Sequence, residues 1–191
     1  MSDAATNAPV SKSPFWRFSV MFYAVPGVAP ACIALQDQAG VDVNLLFFLL
    51  WNASQSRELN SAEVAELDRT FGAWRDMAVV PIRDVRRALK TPPAAVAPGV
   101  AESLRTRIKA VELEAERLQQ EAMFSLTQSG PLGRKAMSLM GAARGNVAAY
   151  QAALRPFPPG PLDVILDAFA KFETPARDKA EQAGTTPGET G

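Results

Sequence analysis

One stretch of the chain has the residue types and the spacing to bind an anion. It contains Arg83, Arg86, Arg87 and Lys90. At positions i, i+3, i+4 and i+7 of a helix, these side chains share one face. Guanidinium groups bind phosphates and carboxylates through paired hydrogen bonds, so this basic stripe could hold an anionic ligand. The alternative is a structural role, in which the stripe forms ion pairs with the acidic residues Glu112, Glu114 and Glu116 of a later helix.

A second polar set marks the junction between two expected helices. Its members are Gln36, Asp37, Asp42 and Asn44. Carboxylate and amide oxygens suit a divalent cation such as Mg²⁺, and they could also polarise a substrate. The simpler interpretation is that Asp42 caps the next helix while Asp37 and Asn44 bond to the backbone of the turn. Because the spacing matches no metal motif, the sequence favours this structural role for the polar junction.

The residue types that are missing restrict the chemistry further. The chain has no histidine, which removes the commonest general base and metal ligand. Its single cysteine, Cys32, allows no intramolecular disulfide, and its apolar neighbours predict a buried thiol. Glu112 and Glu116 share a helix face, but carboxylate metal sites of the ferritin type also use histidine. We therefore expect no metal, no cofactor and no catalytic residue.

Charge and hydropathy narrow the choice of partner and location. Lys and Arg number 20, as do Asp and Glu, so the net charge is zero. Non-specific nucleic-acid binding needs a basic excess, so nucleic acid is not an expected partner. The start of the chain lacks the pattern of a secretion signal. The longest apolar run, Leu45 to Trp51, is far shorter than the roughly 20 residues of a membrane span. We expect a cytoplasmic protein.

Hydrophobic periodicity predicts an all-α fold, a compact helical bundle of about seven to eight helices. Its centre is expected to be the helix that Asp42 caps, because Leu45 to Trp51 is apolar on nearly every side. Residues 14–172 are expected to form one domain with a proline-rich linker at 91–99. Residues 1–13 and 173–191 are polar and predicted to be disordered.

A long helix from about Val100 to Gln128 is predicted to follow the linker. Its apolar residues repeat at spacings of four and three, which is typical of a helix packed lengthwise in a bundle. They are Leu104, Ile108, Val111, Ala115, Leu118 and Ala122. The turn Ser129-Gly130-Pro131 is expected to lead into a partner helix that ends near Leu154, which would make a long antiparallel helical hairpin.

Several motifs together resemble a known family. They are Phe15-Trp16-x-Phe18-Ser19, Tyr23-Ala24-x-Pro26-Gly27-Val28, Ala31-Cys32-x-Ala34-Leu35-Gln36-Asp37, Gly40-x-Asp42-Val43-Asn44-Leu45-Leu46-x-Phe48 and Val79-Val80-Pro81-x-Arg83-x-Val85-Arg86-Arg87-x-Leu89-Lys90. The chain from Pro14 to Leu154 resembles an uncharacterised proteobacterial family of conserved hypothetical proteins, a domain of unknown function. The resemblance implies a bacterial cytoplasmic protein and brings no established activity or cofactor.

Three functions remain open at this point. The sequence favours a non-enzymatic module that binds another protein, because no catalytic motif and no charge bias are present. The alternative is a binder of an anionic small molecule, phosphorylated or isoprenoid-like, through Arg83, Arg86, Arg87 and Lys90. An enzyme that uses Asp37 and Asp42 with a divalent cation is the least favoured. Arginines facing a cavity would favour ligand binding, whereas arginines paired with Glu112 and Glu116 would favour a structural role.

Overall fold

The computed structural model describes the backbone of residues 12–184 and the side chains of residues 12–173. The helices in this part are α1 Pro14–Tyr23, α2 Val28–Ala39, α3 Val43–Ser54, α4 Ser61–Trp74, α5 Val80–Ala88, α6 Pro98–Thr127, α7 Leu139–Ala153 and α8 Pro159–Gly184. A π-helical turn, Arg75–Val79, joins α4 to α5. Strands β1 Arg57–Glu58 and β2 Arg134–Lys135 pair antiparallel. The all-α prediction is confirmed. The predicted disorder of residues 1–11 and 185–191 lies outside the described residues.

Local capping signals set the helix boundaries. The Ser13 hydroxyl accepts a hydrogen bond from the first turn of α1, and the Asp42 carboxylate accepts two from the first turn of α3. Asn60 and Glu63 form the reciprocal capping box that begins α4. Gly40 ends α2 with φ at +59°, a conformation that suits glycine. Each of these boundaries depends on residues only three or four positions apart, and the cap at Asp42 is as the sequence predicted.

The core is organised around α3. Every side chain from Leu45 to Leu50 is at most 2% exposed, so this helix is enclosed on all sides. Its neighbours include α7, α1 and α6. Further out, α8 packs along α2 and inserts Phe169 against Phe18 and Phe22 of α1. Burial of each of these large apolar side chains stabilises the fold by about 1.5–3 kcal/mol, which makes this core its main support.

The first two helices meet at a sharp corner. Pro26 and Gly27 follow the end of α1, and Gly27 has φ at +88°. The axes of α1 and α2 differ in direction by 97°. Within residues 12–184, no single helix has both the length and the apolar character to cross a membrane. Only α1 and α2 taken together reach that length and hydropathy, across this bend.

The predicted antiparallel hairpin of α6 and α7 is wrong. Residues 128–138 form a loop rather than the start of a helix, and β2 in that loop pairs with β1. Gly133, with φ at +60°, permits this contact because a Cβ there would collide with the backbone of Glu58. The crossover carries α7 to α3 and α4, whereas α6 packs on α5, α1 and α3. The sequence shows an amphipathic pair of helices, but the loop decides which neighbours they meet.

The predicted inward face of α6 is also wrong in large part. Of its six apolar residues, only Ala115 is buried, while Leu104, Val111 and Leu118 are 37–51% exposed. The buried positions of α6 are Ala101, Glu112, Ala115, Gln119, Gln120 and Met123. The helix is therefore turned so that polar side chains face the interior. Those side chains are buried because they bond to partners on α3 and α5.

The last helix is longer than expected. The sequence predicts a helix over Pro161 to Phe172 with a disordered tail beyond it, whereas the backbone of α8 stays helical to Gly184. Residues 176–183 are mostly Ala, Glu, Arg, Lys and Gln, which have high helix propensity. The low hydrophobicity of this segment suggested disorder, but intrinsic propensity is enough to continue a helix that has already begun.

One fully buried amide holds three backbone segments together. The Nδ2 of Asn146, on α7, donates to the carbonyl oxygens of Leu49 at 2.9 Å and Arg57 at 3.1 Å. Its Oδ1 accepts from the backbone N–H of Leu59 at 2.7 Å. Asn146 is 0% exposed, so no water can replace these bonds. The amide therefore fixes α7 against α3 and against the segment that contains β1.

We expect Asn146→Ala to lower the free energy of unfolding by about 3 kcal/mol or more, because three buried backbone groups lose their partner. Urea denaturation measures this loss. The control is Arg144→Ala, two residues earlier on the exposed side of the same helix, which should change stability by about 0.5 kcal/mol or less. Equal effects of the two variants would contradict the role given to Asn146.

Candidate binding cleft

An open cleft of about 810 Å³ lies between α1, α2, α5 and α6, with the beginning of α3 at its base. This volume falls within the range of about 300–1,000 Å³ that small-molecule sites occupy. Helix α1 contributes Trp16, Ser19, Val20 and Tyr23, which lie on one face because of their helical spacing. Helix α1 therefore serves both the core, through Phe15 and Phe22, and the cleft.

Much of the cleft wall is apolar. Its aliphatic and aromatic residues are Trp16, Val20, Tyr23, Ile33, Val43, Phe47 and Leu113. Four of them remain well exposed, with Val20 at 50%, Tyr23 at 43%, Ile33 at 47% and Leu113 at 53%. A cluster of exposed large apolar side chains is characteristic of a surface that another molecule covers.

The cleft also collects residues of both candidate sets from the sequence. All four residues of the basic stripe, Arg83, Arg86, Arg87 and Lys90, line it, together with Lys109 of α6. From the polar junction, Gln36, Asp37 and Asn44 line it as well. Asp42 does not, because it is buried below Asn44 as the cap of α3. The structure thus brings the basic stripe and three residues of the polar junction together in one site, and Arg87 of the stripe contacts Asp37 of the junction.

Two arginines of the basic stripe are held by carboxylates of α6. Arg83 donates to Glu112 at 2.9 Å and to Glu116 at 2.7 Å, and Arg86 forks onto Glu112. The third glutamate, Glu114, pairs with Arg117 on its own helix instead. Arg83 and Arg86 are only 15% and 20% exposed, so their side chains have fixed positions. These contacts join α5 to α6 through polar groups.

The two carboxylates titrate in opposite directions. Burial disfavours ionisation of Glu112, but hydrogen bonds from Arg86 and Arg83 outweigh it and lower its pKa. Burial raises the pKa of Glu116, and the neighbouring carboxylate of Glu112 raises it further against the opposing effect of Arg83. Glu112 therefore stabilises the fold as an anion, whereas the negative charge of Glu116 is costly.

The remaining cations are available to a ligand. Arg87 pairs with Asp37 at 2.7 Å, but both side chains are more than 40% exposed, so solvent screens this pair. Lys90 and Lys109 are exposed and form no ion pair with any side chain that the structure describes. Five cations and three carboxylates line the cleft, which leaves an excess of two positive charges. An anion would be attracted to the end formed by the two lysines.

A chain of side-chain hydrogen bonds lies at the base of the cleft. The Asp42 carboxylate accepts from Gln119 at 2.9 Å, Gln119 accepts from Asn44 at 2.7 Å, and Asn44 accepts from Gln120 at 2.7 Å. We call this series the amide ladder. Sequence reasoning identified Asp42 and Asn44 but missed both glutamines, because polar residues on a long helix are normally solvated. The only available signal was their position beside Met123 and Ala115 on the face that proves to be buried.

Two buried side-chain oxygens of the cleft lining have no hydrogen-bond partner among residues 12–173. They are Oγ of Ser19 and Oε1 of Gln120, and both residues line the cleft. Each residue is 4% exposed. They are the only such buried side-chain atoms among residues 12–173. Leaving a buried polar group unbonded costs about 1–3 kcal/mol. These two atoms therefore lower the stability of the free protein.

The titratable groups beside the apolar wall keep their protons at neutral pH. Burial raises the pKa of the Cys32 thiol to about 12, so it is not a thiolate nucleophile. Burial also raises the pKa of the Tyr23 hydroxyl. Among the described residues, no group of three or more acidic or cysteine side chains is arranged to hold a metal ion. Asp37 and Asp42 bond to different partners, Arg87 and Gln119.

The opposite shifts of the two glutamates give a stability test. At pH 7 we expect Glu112→Gln to lower the free energy of unfolding by about 2–3 kcal/mol, because Arg83 and Arg86 lose an anionic partner. The stabilisation by Glu112 is complete above pH 4.5 and is lost as the pH falls through its lowered pKa.

The matched control is Glu116→Gln, one helical turn away. Because the pKa of Glu116 is raised, its ionisation costs stability as the pH rises above 4.5. Glu116→Gln should therefore equal the unchanged protein at low pH and be at least as stable at pH 7. Urea denaturation between pH 4 and pH 8 distinguishes the two variants. Equal losses at pH 7 would contradict the assignment of the two charges.

Comparison with known proteins identifies a family without a known activity. Neither the curated proteins nor the solved structures contain a match to this chain. Residues 14–123 match the family described as "Protein of unknown function (DUF2390)", and this segment contains every residue that lines the cleft, from Trp16 to Gln120. Since the match covers more than half of the 191 residues, the chain belongs to this family of unknown function.

Proposed function

We propose that this protein is a cytoplasmic binding protein whose cleft holds an amphipathic organic anion. One observation carries the proposal: the same open cleft is lined by exposed apolar side chains and by two lysines that form no ion pair with any side chain of residues 12–173. A surface with only a structural role would not be expected to combine exposed apolar side chains with unpaired lysines. The apolar wall would take the body of the ligand, and Lys90 with Lys109 would take its anionic group.

The ion pairs between α5 and α6 support a binding site with fixed geometry. Arg83 and Arg86 are occupied by Glu112 and Glu116, so they act as part of the wall. Lys90, Lys109 and the weakly paired Arg87 are free to meet a ligand at the rim. The proposal thus differs from the sequence hypothesis in using only the outer half of the basic stripe.

Binding accounts for the cleft better than catalysis does. The charged groups in its middle are bonded to one another, and the thiol beside them stays protonated. No side chain in the lining combines an activated nucleophile with a neighbouring base. The apolar surface, in contrast, is well suited to a ligand that hides a hydrocarbon chain from water.

We expect dodecyl phosphate, used below its critical micelle concentration, to bind the full chain in isothermal titration calorimetry. The double variant Lys90→Gln, Lys109→Gln should weaken binding about tenfold, because two exposed charge contacts of up to about 1 kcal/mol each are lost. The uncharged dodecanol should bind both forms equally.

The matched control is the double variant Lys135→Gln, Lys171→Gln, which makes the same change in net charge at exposed positions outside the cleft. It should bind dodecyl phosphate as the unchanged protein does. Equal weakening by both double variants would show a general charge effect, and absence of binding by the unchanged protein would reject the proposed function.

A second observation favours the interaction role that the sequence first suggested. Leu104, Val111 and Leu118 of α6, which we call the α6 stripe, are 37–51% exposed and recur every seven residues. Val100, which precedes them on the helix, is 67% exposed. This repeat is typical of a helix that packs lengthwise against a partner helix. The α6 stripe is therefore a candidate surface for another protein, with a second copy of this chain as the simplest partner.

The oligomeric state tests this second candidate. Sedimentation equilibrium should show a dimer, and Val111→Lys with Leu118→Lys should convert it to monomer because two charges would enter the apolar contact. Ser103→Lys with Thr106→Lys adds the same charges at other exposed positions of α6 and should leave the dimer intact. A monomer at all protein concentrations would reject self-association through the α6 stripe.

A further inference from the structure

The end of the cleft beside Gln120 contains two polar oxygens that would bond neither to the apolar chain of a ligand nor to an anionic group held at the lysines. Ser19 Oγ and Gln120 Oε1 are buried there without partners, although both residues line the cleft. Neighbouring side chains cover both oxygens, so the lining must adjust for a ligand to reach them. The cost of such atoms persists in the folded protein, and a bound group that satisfied both would remove it.

The amide ladder determines which atom Gln120 can offer. The Asp42 carboxylate accepts hydrogen bonds through both oxygens, from the first turn of α3 and from Nε2 of Gln119. Gln119 then has only its oxygen for Asn44, and Asn44 has only its oxygen for Gln120. Each amide orientation follows from the one before it. Gln120 is consequently left with Oε1, an acceptor, and the ligand must supply a donor.

Ser19 completes a site for one specific kind of group. Its hydroxyl can donate a hydrogen bond as well as accept one. A ligand hydroxyl that reaches both residues would donate to Oε1 of Gln120 and accept from Oγ of Ser19, and it would satisfy both atoms. The hydrogen bonds of the ladder all run in the same direction, so they polarise one another and make the acceptor at the end of the ladder stronger.

The cations and the unpartnered oxygens lie at opposite ends of the cleft. On α6, Lys109 and Gln120 are eleven residues apart, which is about 16 Å along the axis. The N–H of Ser13 donates to Glu121 at 3.0 Å, and Tyr23 lies near Glu116, so α1 places Ser19 toward the Gln120 end.

Helix α5 places its lysine at the other end. Arg83 bonds to Glu116 and Glu112, whereas Arg86 bonds to Glu112, so α5 runs antiparallel to α6. Lys90 therefore lies one turn beyond Arg86, toward Lys109. The positive end of the cleft is formed by these two lysines.

We propose that the ligand is a long-chain organic anion with a hydroxyl group roughly 16 Å from its charge, held by Ser19 and Gln120. A chain of about twelve carbons spans this distance when extended. The inference rests on the proposed function and specifies its ligand: an ω-hydroxylated amphipathic anion rather than a plain fatty-acid-like one. Ser19 and Gln120 discriminate between the two.

The test compares three ligands on the full chain by isothermal titration calorimetry, all below their critical micelle concentrations. They are 12-hydroxydodecanoate, dodecanoate and 12-methoxydodecanoate. We expect the hydroxy acid to bind about five- to tenfold more tightly than dodecanoate, because it forms two additional buried hydrogen bonds. The methoxy acid can accept from Ser19 but cannot donate to Gln120, so it should show no such gain.

Two variants place the preference at the proposed residues. Gln120→Met keeps the volume but removes the acceptor, together with the Nε2 donor to Asn44, and it should bind the hydroxy acid and dodecanoate with nearly equal affinity. Ser19→Ala should reduce the preference while leaving affinity for dodecanoate unchanged. If Gln120→Met does not fold, as thermal unfolding would show, Ser19→Ala and the methoxy ligand still decide the question.

The outcomes distinguish failure of the hydroxyl site from failure of the proposed anion-binding function. Equal affinity of the unchanged protein for all three acids would overturn the hydroxyl site and leave the binding of amphipathic anions intact. A preference for the hydroxy acid that survives in both variants would also overturn it. If none of the three acids bound, both the proposed function and the inference would be rejected.

Discussion

The Asp42 carboxylate is the interaction on which the arrangement of the helices depends. It caps α3 through two backbone N–H groups and accepts a hydrogen bond from Gln119 of α6. Its own backbone N–H donates to the hydroxyl of Tyr150 on α7, and Arg75 lies 3.5 Å from the carboxylate. One residue thus joins the central helix to three neighbours. A buried carboxylate can serve in this way only because each of its oxygens has a donor, since an unbonded buried charge would be costly.

This constraint explains why α6 turns a polar face inward. Once Gln119 is bonded to Asp42, the adjacent positions of α6 are fixed, and Glu112 and Glu116 point toward α5. The arginines of α5 then bind these carboxylates, so the two helices meet through ion pairs. The cost appears on the other side of α6, where large apolar side chains remain exposed. Burying polar side chains while exposing large apolar ones is unfavourable for a helix whose outer face meets only water. It is consistent with an outer face that another molecule covers.

The sequence predicted what depends on neighbouring residues. The cap at Asp42 agrees with the structure, as does the all-α class, because capping and periodicity act within one or two helical turns. The hairpin and the inward face of α6 were wrong, because they depend on where a loop leads and on partners about 75 residues away. Apolar spacing alone gave α6 the opposite orientation. Hydrogen bonding to Asp42 and Asn44 decided it instead.

The sequence pointed to the basic stripe and to three of the polar-junction residues that line the cleft, but not to Gln120 or to the contacts among them. The basic stripe and the polar junction are each local patterns, and both contribute to the cleft. Which arginines are occupied, and that Gln120 ends a chain of amides, follows only from contacts between distant segments. The same contacts show why the family segment, residues 14–123, depends on the rest of this chain. Tyr150 and Asn146 of α7 support Asp42 and the end of α3 from outside that segment. The cleft residues and their support are therefore encoded in separate parts of the sequence, because the backbone N–H of Asp42, which begins the ladder, is held by α7.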